Sequence, residues 1–294
     1  MKNKKTLYII PAIILCLFLN GCRNYQELEN LSVVAGIAVD KAQDGEGYLV
    51  SLEVIDTSAP IKENKVKSRV IESEGRTVFD AVNQVKKKLF DRPYFGNAQV
   101  LIISRKIAES EGIENIIEGF LRDTEPRETI EVTISRGETA KEIITPDNDG
   151  KYIYSYEIKK NLDGGKKNSN QLKNMELYKV YNELKRNSGN LLLPAFICAE
   201  KKETQEEEKD KIKKETEADG FAIFQKDKLI GWLDYGDVLY YMLINGSVKG
   251  SVFAFPLENQ AKNNVSLTIL KSSSKKSFEV DISGEKKAKI NIVK

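Results

Sequence analysis

The sequence predicts an α+β fold, with mixed sheets flanked by helices, and three observations carry the prediction. Strand patterns and amphipathic helix patterns interleave along the first two thirds of the 294-residue chain. The last third contains mostly strand patterns. Hydrophobic residues make up 40% of the chain, enough for one large core or two moderate ones. Because the pattern changes from mixed to strand-rich along the chain, we expect more than one domain.

The first predicted elements are three strands, and in the second of them Val50, Leu52 and Val54 alternate with more polar neighbours. They cover residues 32–40, 48–55 and 68–72. A helix is predicted over residues 77–90, because apolar side chains recur there at helical spacing. Thr77 is the expected N-cap of this helix, with Asp80 three residues later. The apolar face of the helix should pack on a sheet.

The middle of the chain repeats this alternation. Strands are predicted at 99–104 and 130–135, a second amphipathic helix from Ile107 to Leu121, and further helices at 139–144 and 172–185. Between residues 151 and 170 the pattern weakens, and Tyr152, Tyr154 and Tyr156 line one side of a strand or turn. Such a tyrosine ladder packs on a half-buried sheet or, as the less favoured alternative, binds a sugar or a base.

A strongly charged run separates this region from the strand-rich remainder. Residues 200–217 hold six basic and eight acidic residues and one apolar residue, which predicts a solvated linker or a partner-binding segment. The strand patterns then continue to the last residue without a closing helix, which favours a domain that is incomplete as written. The predicted organisation is a signal peptide at 1–21, a mixed α/β region at 22–198, a charged linker at 199–218 and a truncated strand-rich domain at 219–294.

The N-terminus carries a short apolar segment, residues 7–19, behind a tip with three lysines. As a helix it would measure about 20 Å, against about 30 Å for the hydrocarbon core of a bilayer, so it is too short to span comfortably. The stretch Leu19-Asn20-Gly21-Cys22 follows and resembles the lipobox of bacterial lipoproteins, in which the signal is cut before an acylated cysteine. An ordinary cleaved signal and an uncleaved anchor helix are the alternatives.

Charge and residue usage exclude several classes of function. Loss of residues 1–21 removes three lysines and leaves 43 basic and 44 acidic residues, so nothing favours nucleic-acid binding. The chain has no histidine, which excludes Ser-His-Asp and Cys-His catalysis and histidine zinc sites. After processing, Cys198 would be the one cysteine besides Cys22, and its apolar surroundings indicate a small buried hydrophobe rather than a reactive thiol.

Six segments in order resemble the Ger(x)C family, the lipoprotein C subunits of nutrient germinant receptors in spore-forming bacteria. They read CRNYQELENLSVVAGIAVD, EGRTVFDAV, YFGNAQVLIIS, FLRDTEPRETIEV, LLLPAF and GFAIFQKDKLIGWLD, and together they cover most of the mature chain. Two positions depart from the family pattern. Arg23-Asn24 stands where Trp-Asp is usual, and Asn97 stands where histidine is common. Members also usually continue beyond the point where this sequence stops.

The resemblance implies a non-catalytic subunit that acts in receptor assembly or signal transmission. It implies diacylglycerol and N-acyl lipid on Cys22, which would tether the chain to the outer face of the spore inner membrane. The implied partners are two polytopic membrane subunits, of the A and B types, together with membrane lipid. It implies no catalytic residue, metal or other cofactor, and no nucleic acid.

Five residues are candidates for a partner surface or a structural corner. Arg122, Glu125 and Arg127 lie in RDTEPRE, where arginine–carboxylate pairs could lock a helix-to-strand corner or meet a partner. Tyr94 and Asn97 flank the YFGN turn before a core strand. An internal corner is the favoured interpretation for RDTEPRE, and a tight turn is the alternative to an interface for YFGN.

Two other functions compete with a receptor subunit. A solute-binding lipoprotein would need two α/β lobes that close on a ligand, which the strand-rich last third argues against, and calorimetry with nutrients would test it. An extracytoplasmic carboxylate enzyme, such as a glycosidase acting on spore cortex, would need two carboxylates about 5 to 9 Å apart in a cleft. A hydrolysis assay with cortex fragments would test that alternative.

Overall fold

The computed structural model describes most of the chain between residues 31 and 293. The described residues are 31–56, 67–123, 125–146, 152–164, 175–186, 190–202, 212–244, 248, 251–256, 264–270, 272–281 and 287–293. The predicted signal peptide and the lipobox with Cys22 lie outside them. The acylation of Cys22 therefore stays a prediction.

Thirteen strands are found in the described residues. They are β1 Leu31–Lys41, β2 Tyr48–Asp56, β3 Lys67–Gly75, β4 Arg92–Tyr94, β5 Val100–Ser104, β6 Glu131–Ser135, β7 Asn190–Lys202, β8 Ile212–Gln225, β9 Lys228–Leu233, β10 Ser251–Pro256, β11 Asn264–Ile269, β12 Lys275–Asp281 and β13 Lys287–Val293. The α-helices are α1 Val78–Lys88, α2 Arg105–Ser110, α3 Glu114–Arg122, α4 Lys141–Ile144, α5 Tyr154–Gly164, α6 Leu177–Lys185 and α7 Tyr235–Ile244, and a 3-10 turn covers Phe95–Asn97. The predicted α+β class is confirmed.

A nine-stranded mixed sheet organises the described part of the chain. Its order is β3-β2-β1-β5-β6-β7-β8-β9, and β4 pairs with β1 beside this path. The central strands β1, β5, β6 and β7 are parallel, whereas the hairpins at both sides are antiparallel. Two separate two-stranded sheets, β10–β11 and β12–β13, follow.

Helices cover both faces of the large sheet, so its central strands are apolar on both sides. In β5, Leu101 and Ile103 join the hydrophobic cluster that includes α1, α2, α3 and α6. The alternate residues Val100 and Ile102 join a second cluster with α4, α5 and α7. Burial on both faces explains why β5 reads as a continuous apolar run rather than an alternating one.

Most predicted elements are found, and the first helix is capped as expected. The Thr77 side chain accepts a hydrogen bond from the Asp80 N–H at the start of α1. The predicted single helix from Ile107 to Leu121 is wrong, because the structure has two helices there, α2 and α3. Gly112 lies between them with φ +87°, a conformation that ends α2 and that an L side chain rarely adopts.

The predicted linker is wrong at both of its ends. Residues 199–202 belong to β7 and residues 212–218 to β8, and the two strands pair as one long antiparallel hairpin. In this register Glu200 faces Lys214, with side chains 4.0 Å apart, whereas Lys201 faces Lys213. Backbone pairing can therefore order a segment that has almost no apolar residues, although only one of these facing pairs has opposite charges. β8 and β9 extend the sheet of the N-terminal region. These contacts do not test the predicted domain division as a whole, which stays a prediction.

Candidate functional site

The predicted corner is centred on Glu125. Its Oε1 accepts a hydrogen bond from Arg92 Nη2 at 2.9 Å, and Lys86 Nζ lies 3.9 Å from Oε2. The Glu125 N–H donates to Asp123 Oδ1 at 3.1 Å, and the neighbouring Pro126 is buried. Glu125 thus joins the end of α3 to α1 and β4, which agrees with an internal salt-bridged corner.

The two arginines of the predicted corner do not take part in it. Arg122 pairs instead with Glu118, one turn earlier on α3, at 3.1 Å, and its side chain is 80% exposed. Arg127 is exposed, and its carbonyl accepts a hydrogen bond from Ile130 N–H. The cationic partners of Glu125 come from elements distant in sequence, so spacing along RDTEPRE could not identify them.

Tyr94 and Asn97 have different surroundings although they flank the same turn. The Tyr94 ring lies against Gly96 and is 40% exposed. The Asn97 side-chain amide donates to the hydroxyl of Tyr156 on α5, and the Asn97 carbonyl accepts from Gln99 Nε2 at 2.7 Å. Asn97 is therefore a contact between the YFGN turn and α5.

Glu53 on β2 holds the N-terminus of α5. Its buried carboxylate accepts hydrogen bonds from the N–H groups of Tyr154 and Ser155, at 2.8 and 2.9 Å, and from the hydroxyls of Ser155 and Ser68. Burial raises the pKa of Glu53 above its ordinary value, although these hydrogen bonds oppose the shift. A carboxylate that accepts from the first N–H groups of a helix both caps it and complements its dipole.

Two further contacts hold α5 against the sheet. Lys159 Nζ lies 2.8 Å from Glu131 Oε1 on β6 and 3.2 Å from Asp163 Oδ1. Burial opposes the charged form of Lys159, but the hydrogen bonds to these carboxylates outweigh it and raise the pKa of Lys159. Gly36 on β1 faces Ser155, and a Cβ at Gly36 would overlap the Ser155 hydroxyl. The polar contacts of α5 thus reach β2, β6 and the turn before β5.

This arrangement corrects the expectation for the three tyrosines. Tyr154 and Tyr156 belong to α5 and not to a strand, so the three tyrosines do not form a ladder. The rings of Tyr152 and Tyr154 meet with centroids 6.2 Å apart. The signal that sequence reasoning missed is an acidic residue between two apolar neighbours in each of two strands, Glu53 and Glu131, because such a buried carboxylate needs partners from another element.

A second charged cluster joins β6 to β8 and β9. Arg136 Nη1 lies 3.0 Å from Asp219 Oδ2, and Nη2 lies 2.7 Å from Asp234 Oδ1. The guanidinium also lies 5.2 Å from the centre of the Trp232 ring. The Arg136 N–H donates to the Phe196 carbonyl on β7 at 2.8 Å. We call this cluster, formed by Arg136, Phe196, Asp219, Trp232 and Asp234, the Arg136 joint.

A cleft of about 540 Å³ lies between α5 and the β7–β8 hairpin. Ile158 and Phe196 are buried at it, and the remaining lining residues are Tyr152, Tyr154, Glu157, Lys160, Asn161, Glu215 and Thr216. Within the described ranges, no group of three or more acidic or cysteine side chains is arranged to hold a metal ion. No helix in the same ranges is long and apolar enough to cross a membrane.

The fold and these contacts define an α+β protein in which two consecutive segments share one mixed sheet through a charged joint. The chain belongs to the Ger(x)C family of spore germination proteins. A family model described as the spore germination protein N-terminal domain matches residues 24–197. One described as spore germination B3/GerAC like, C-terminal, matches residues 219–293. Arg136 and Phe196 lie in the first matched segment, and Asp219, Trp232 and Asp234 lie in the second.

Relatives in Bacillus subtilis (strain 168) share this similarity. Spore germination protein KC is 24% identical over 246 residues, which cover 79% of this chain and 59% of the relative. Spore germination protein A3 is 30% identical over 48% of this chain and 38% of the relative, and protein B3 is 25% identical over 47% and 36%. The chain thus spans less than two thirds of the length of each of these relatives. A crystal structure of the GerBC protein matches 92% of this chain and 71% of that one, with 18% identity and a TM-score of 0.44.

Proposed function

We propose that the protein is a lipid-anchored subunit of a spore nutrient germinant receptor that acts in assembly or signal transmission and not in catalysis. One observation carries the proposal: two spore germination family models match in order, and the Arg136 joint connects the two matched segments. The relatives KC, A3 and B3 are themselves spore germination proteins. The partners in this proposal are polytopic A and B type subunits.

The anchor in this proposal is lipid on Cys22, at the outer face of the spore inner membrane. The lipobox Leu19-Asn20-Gly21-Cys22 and the short apolar segment before it support the assignment. Each buried methylene contributes about 0.8 kcal/mol, so two or more acyl chains make membrane attachment stable. Mass spectrometry of the N-terminal peptide from membranes would detect the acylated Cys22 directly.

The continuity of the large sheet supports a role in transmission. Main-chain hydrogen bonds run without a break from β1 through β6 and β7 to β8 and β9. The Arg136 joint adds two ion pairs and a ring contact between the two matched segments. A displacement imposed on one segment therefore meets a stiff connection to the other, since packed sheets deform little.

The direct test measures nutrient-triggered dipicolinate release from spores. It compares the intact protein, a deletion and Cys22→Ala, with a receptor-independent trigger as control. We expect the deletion and Cys22→Ala to abolish the nutrient response while the control trigger still works. An unchanged nutrient response in both strains would contradict the proposal.

Solute binding is a second candidate, favoured by the cleft beside α5. Its volume of about 540 Å³ is within the range of small-molecule sites, and it combines a buried apolar floor with polar walls. Calorimetric titration of the full chain with nutrients would test it. Substitution of Tyr152, which is 52% exposed, by Ala should weaken any such binding without unfolding the chain.

A further inference from the structure

The turn that follows α1 exposes an aromatic side chain among cations. Phe90 is fully exposed although its neighbour Leu89 is buried. Lys87 and Lys88 are exposed in the last turn of α1, and the Arg92 side chain is 55% exposed. We call residues 86–94 the basic-aromatic turn. It contains Lys86, Lys87, Lys88 and Arg92 with the acid Asp91, and it ends at the partly exposed Tyr94. Because Glu125 lies beside Lys86 and Arg92, the four cations face two acids, which leaves an excess of two positive charges.

Local structure explains part of this composition but not all of it. Lysines in the last turn of a helix complement the negative end of the helix dipole. Lys88 Nζ also donates to the Glu72 carbonyl at 2.7 Å, and Lys87 Nζ to Gln84 Oε1 at 3.0 Å. Neither contact involves Phe90, whose whole ring faces water. A ring in this position gains free energy only if something outside the described chain covers it.

We propose that the basic-aromatic turn binds an anionic lipid surface. Phe90 enters the boundary between headgroups and acyl chains, and the lysine side chains of the turn contact the anionic headgroups. Phenylalanine, like tryptophan and leucine, occurs on the lipid-facing side of membrane-surface segments, because burial of its apolar ring is favourable. Lysine and arginine are attracted to anionic headgroups. Excess positive charge around a projecting ring is thus complementary in both charge and polarity to an anionic membrane.

A short stretch of chain joins the proposed anchor to β1, the strand beside the turn, and this step rests on the proposed function. β4, which ends the turn, pairs with β1, and Gln99 N–H donates to the Ala35 carbonyl of β1 at 2.7 Å. Cys22 precedes the start of β1 at Leu31 by nine residues. Nine residues reach at most about 30 Å whatever their conformation. A lipid on Cys22 would therefore hold the first residue of β1 within that distance of a bilayer.

The test uses the full chain with Cys22→Ala, which cannot be acylated, so that its result does not depend on the anchor. Sedimentation with vesicles of phosphatidylglycerol and phosphatidylcholine is compared with vesicles of phosphatidylcholine alone. The apolar segment 7–19 is present in every variant, and each variant is tested with both kinds of vesicle. We expect tighter binding to the anionic vesicles, weakened about fivefold by Lys87→Ala. Phe90→Ser should weaken it about tenfold.

Matched controls come from exposed side chains elsewhere in the chain. Lys106→Ala removes a side chain that is 65% exposed on α2, and Ile230→Ser removes an apolar one that is 62% exposed on β9. Both should leave vesicle binding unchanged. Equal binding to the two vesicle types, or equal losses in the turn variants and the controls, would overturn the proposal. So would binding to soluble polyglutamate but not to vesicles, since the turn would then recognise an acidic polypeptide.

Discussion

Arg136 and Asp234 meet with Nη2 and Oδ1 2.7 Å apart, although 98 residues separate them in the sequence. The same guanidinium reaches Asp219 at 3.0 Å and lies against Trp232. One side chain from the first matched segment therefore contacts three from the second. If the protein transmits a signal between these segments, this contact is a place where a small change should have a large effect.

Arg136→Lys should lower the free energy of unfolding by about 1 to 3 kcal/mol. Lysine cannot present two parallel N–H groups to two carboxylates and loses the planar contact with Trp232. Urea unfolding of the full chain, followed by Trp232 fluorescence, would measure the change. Arg105→Lys is the matched control, because Arg105 pairs with Glu109 in an exposed i,i+4 contact at 2.7 Å. That change should cost less than about 0.5 kcal/mol, and equal losses in both variants would contradict the importance of the Arg136 joint.

Gly36→Ala should destabilise the chain by about 1 to 3 kcal/mol, because the added Cβ overlaps the buried Ser155 hydroxyl and forces α5 away from the sheet. Thermal unfolding would measure the loss. Gly231→Ala is the matched control, since a Cβ at Gly231 meets no atom within 4 Å. Equal melting temperatures for the two variants would contradict the close contact between Gly36 and Ser155.

The raised pKa of Glu53 predicts that the folding stability falls as the pH rises over part of the acidic range. Burial raises the pKa of Glu53 in the folded chain above the value in the unfolded chain. As the pH rises between these two values, the unfolded chain releases the proton while the folded chain retains it, so the stability present at lower pH is progressively lost. Glu53→Gln removes this equilibrium.

Thermal unfolding of both proteins across the acidic range would check the prediction. The melting temperature of the wild type should fall relative to that of Glu53→Gln as the pH rises through the two pKa values. A constant difference between wild type and Glu53→Gln at every pH would refute the raised pKa.

Glu125 and Arg127 should respond differently to substitution. Glu125→Gln weakens the contacts with Arg92 and Lys86 and should cost about 1 kcal/mol of folding stability. Arg127→Ala should change stability by less than about 0.5 kcal/mol, because the side chain is exposed. Urea unfolding measures both values. A reduced dipicolinate response in Arg127→Ala spores without a stability loss would assign Arg127 to a partner surface.

Local patterns predicted α1 well, because its determinants lie within one short segment. The Thr77 side chain accepts a hydrogen bond from the Asp80 N–H, and the residues of the apolar face follow within the same short segment. The same reasoning failed at Gly112, where one residue in a left-handed conformation interrupts an apolar pattern that runs through both helices. It failed again at residues 212–218, whose charges predicted a linker although their backbone pairs with β7.

The sequence by itself determined the α+β class, most of the strands, the family and the candidate acylation site, since these depend on periodicity and on contiguous motifs. Only the tertiary structure decided which charges meet. Glu125 takes its partners from α1 and β4, Glu53 and Glu131 hold α5, and Arg136 reaches Asp219 and Asp234. The physical reason is that an ion pair depends on distance in space, and a crossover sheet brings together side chains that sequence spacing keeps far apart.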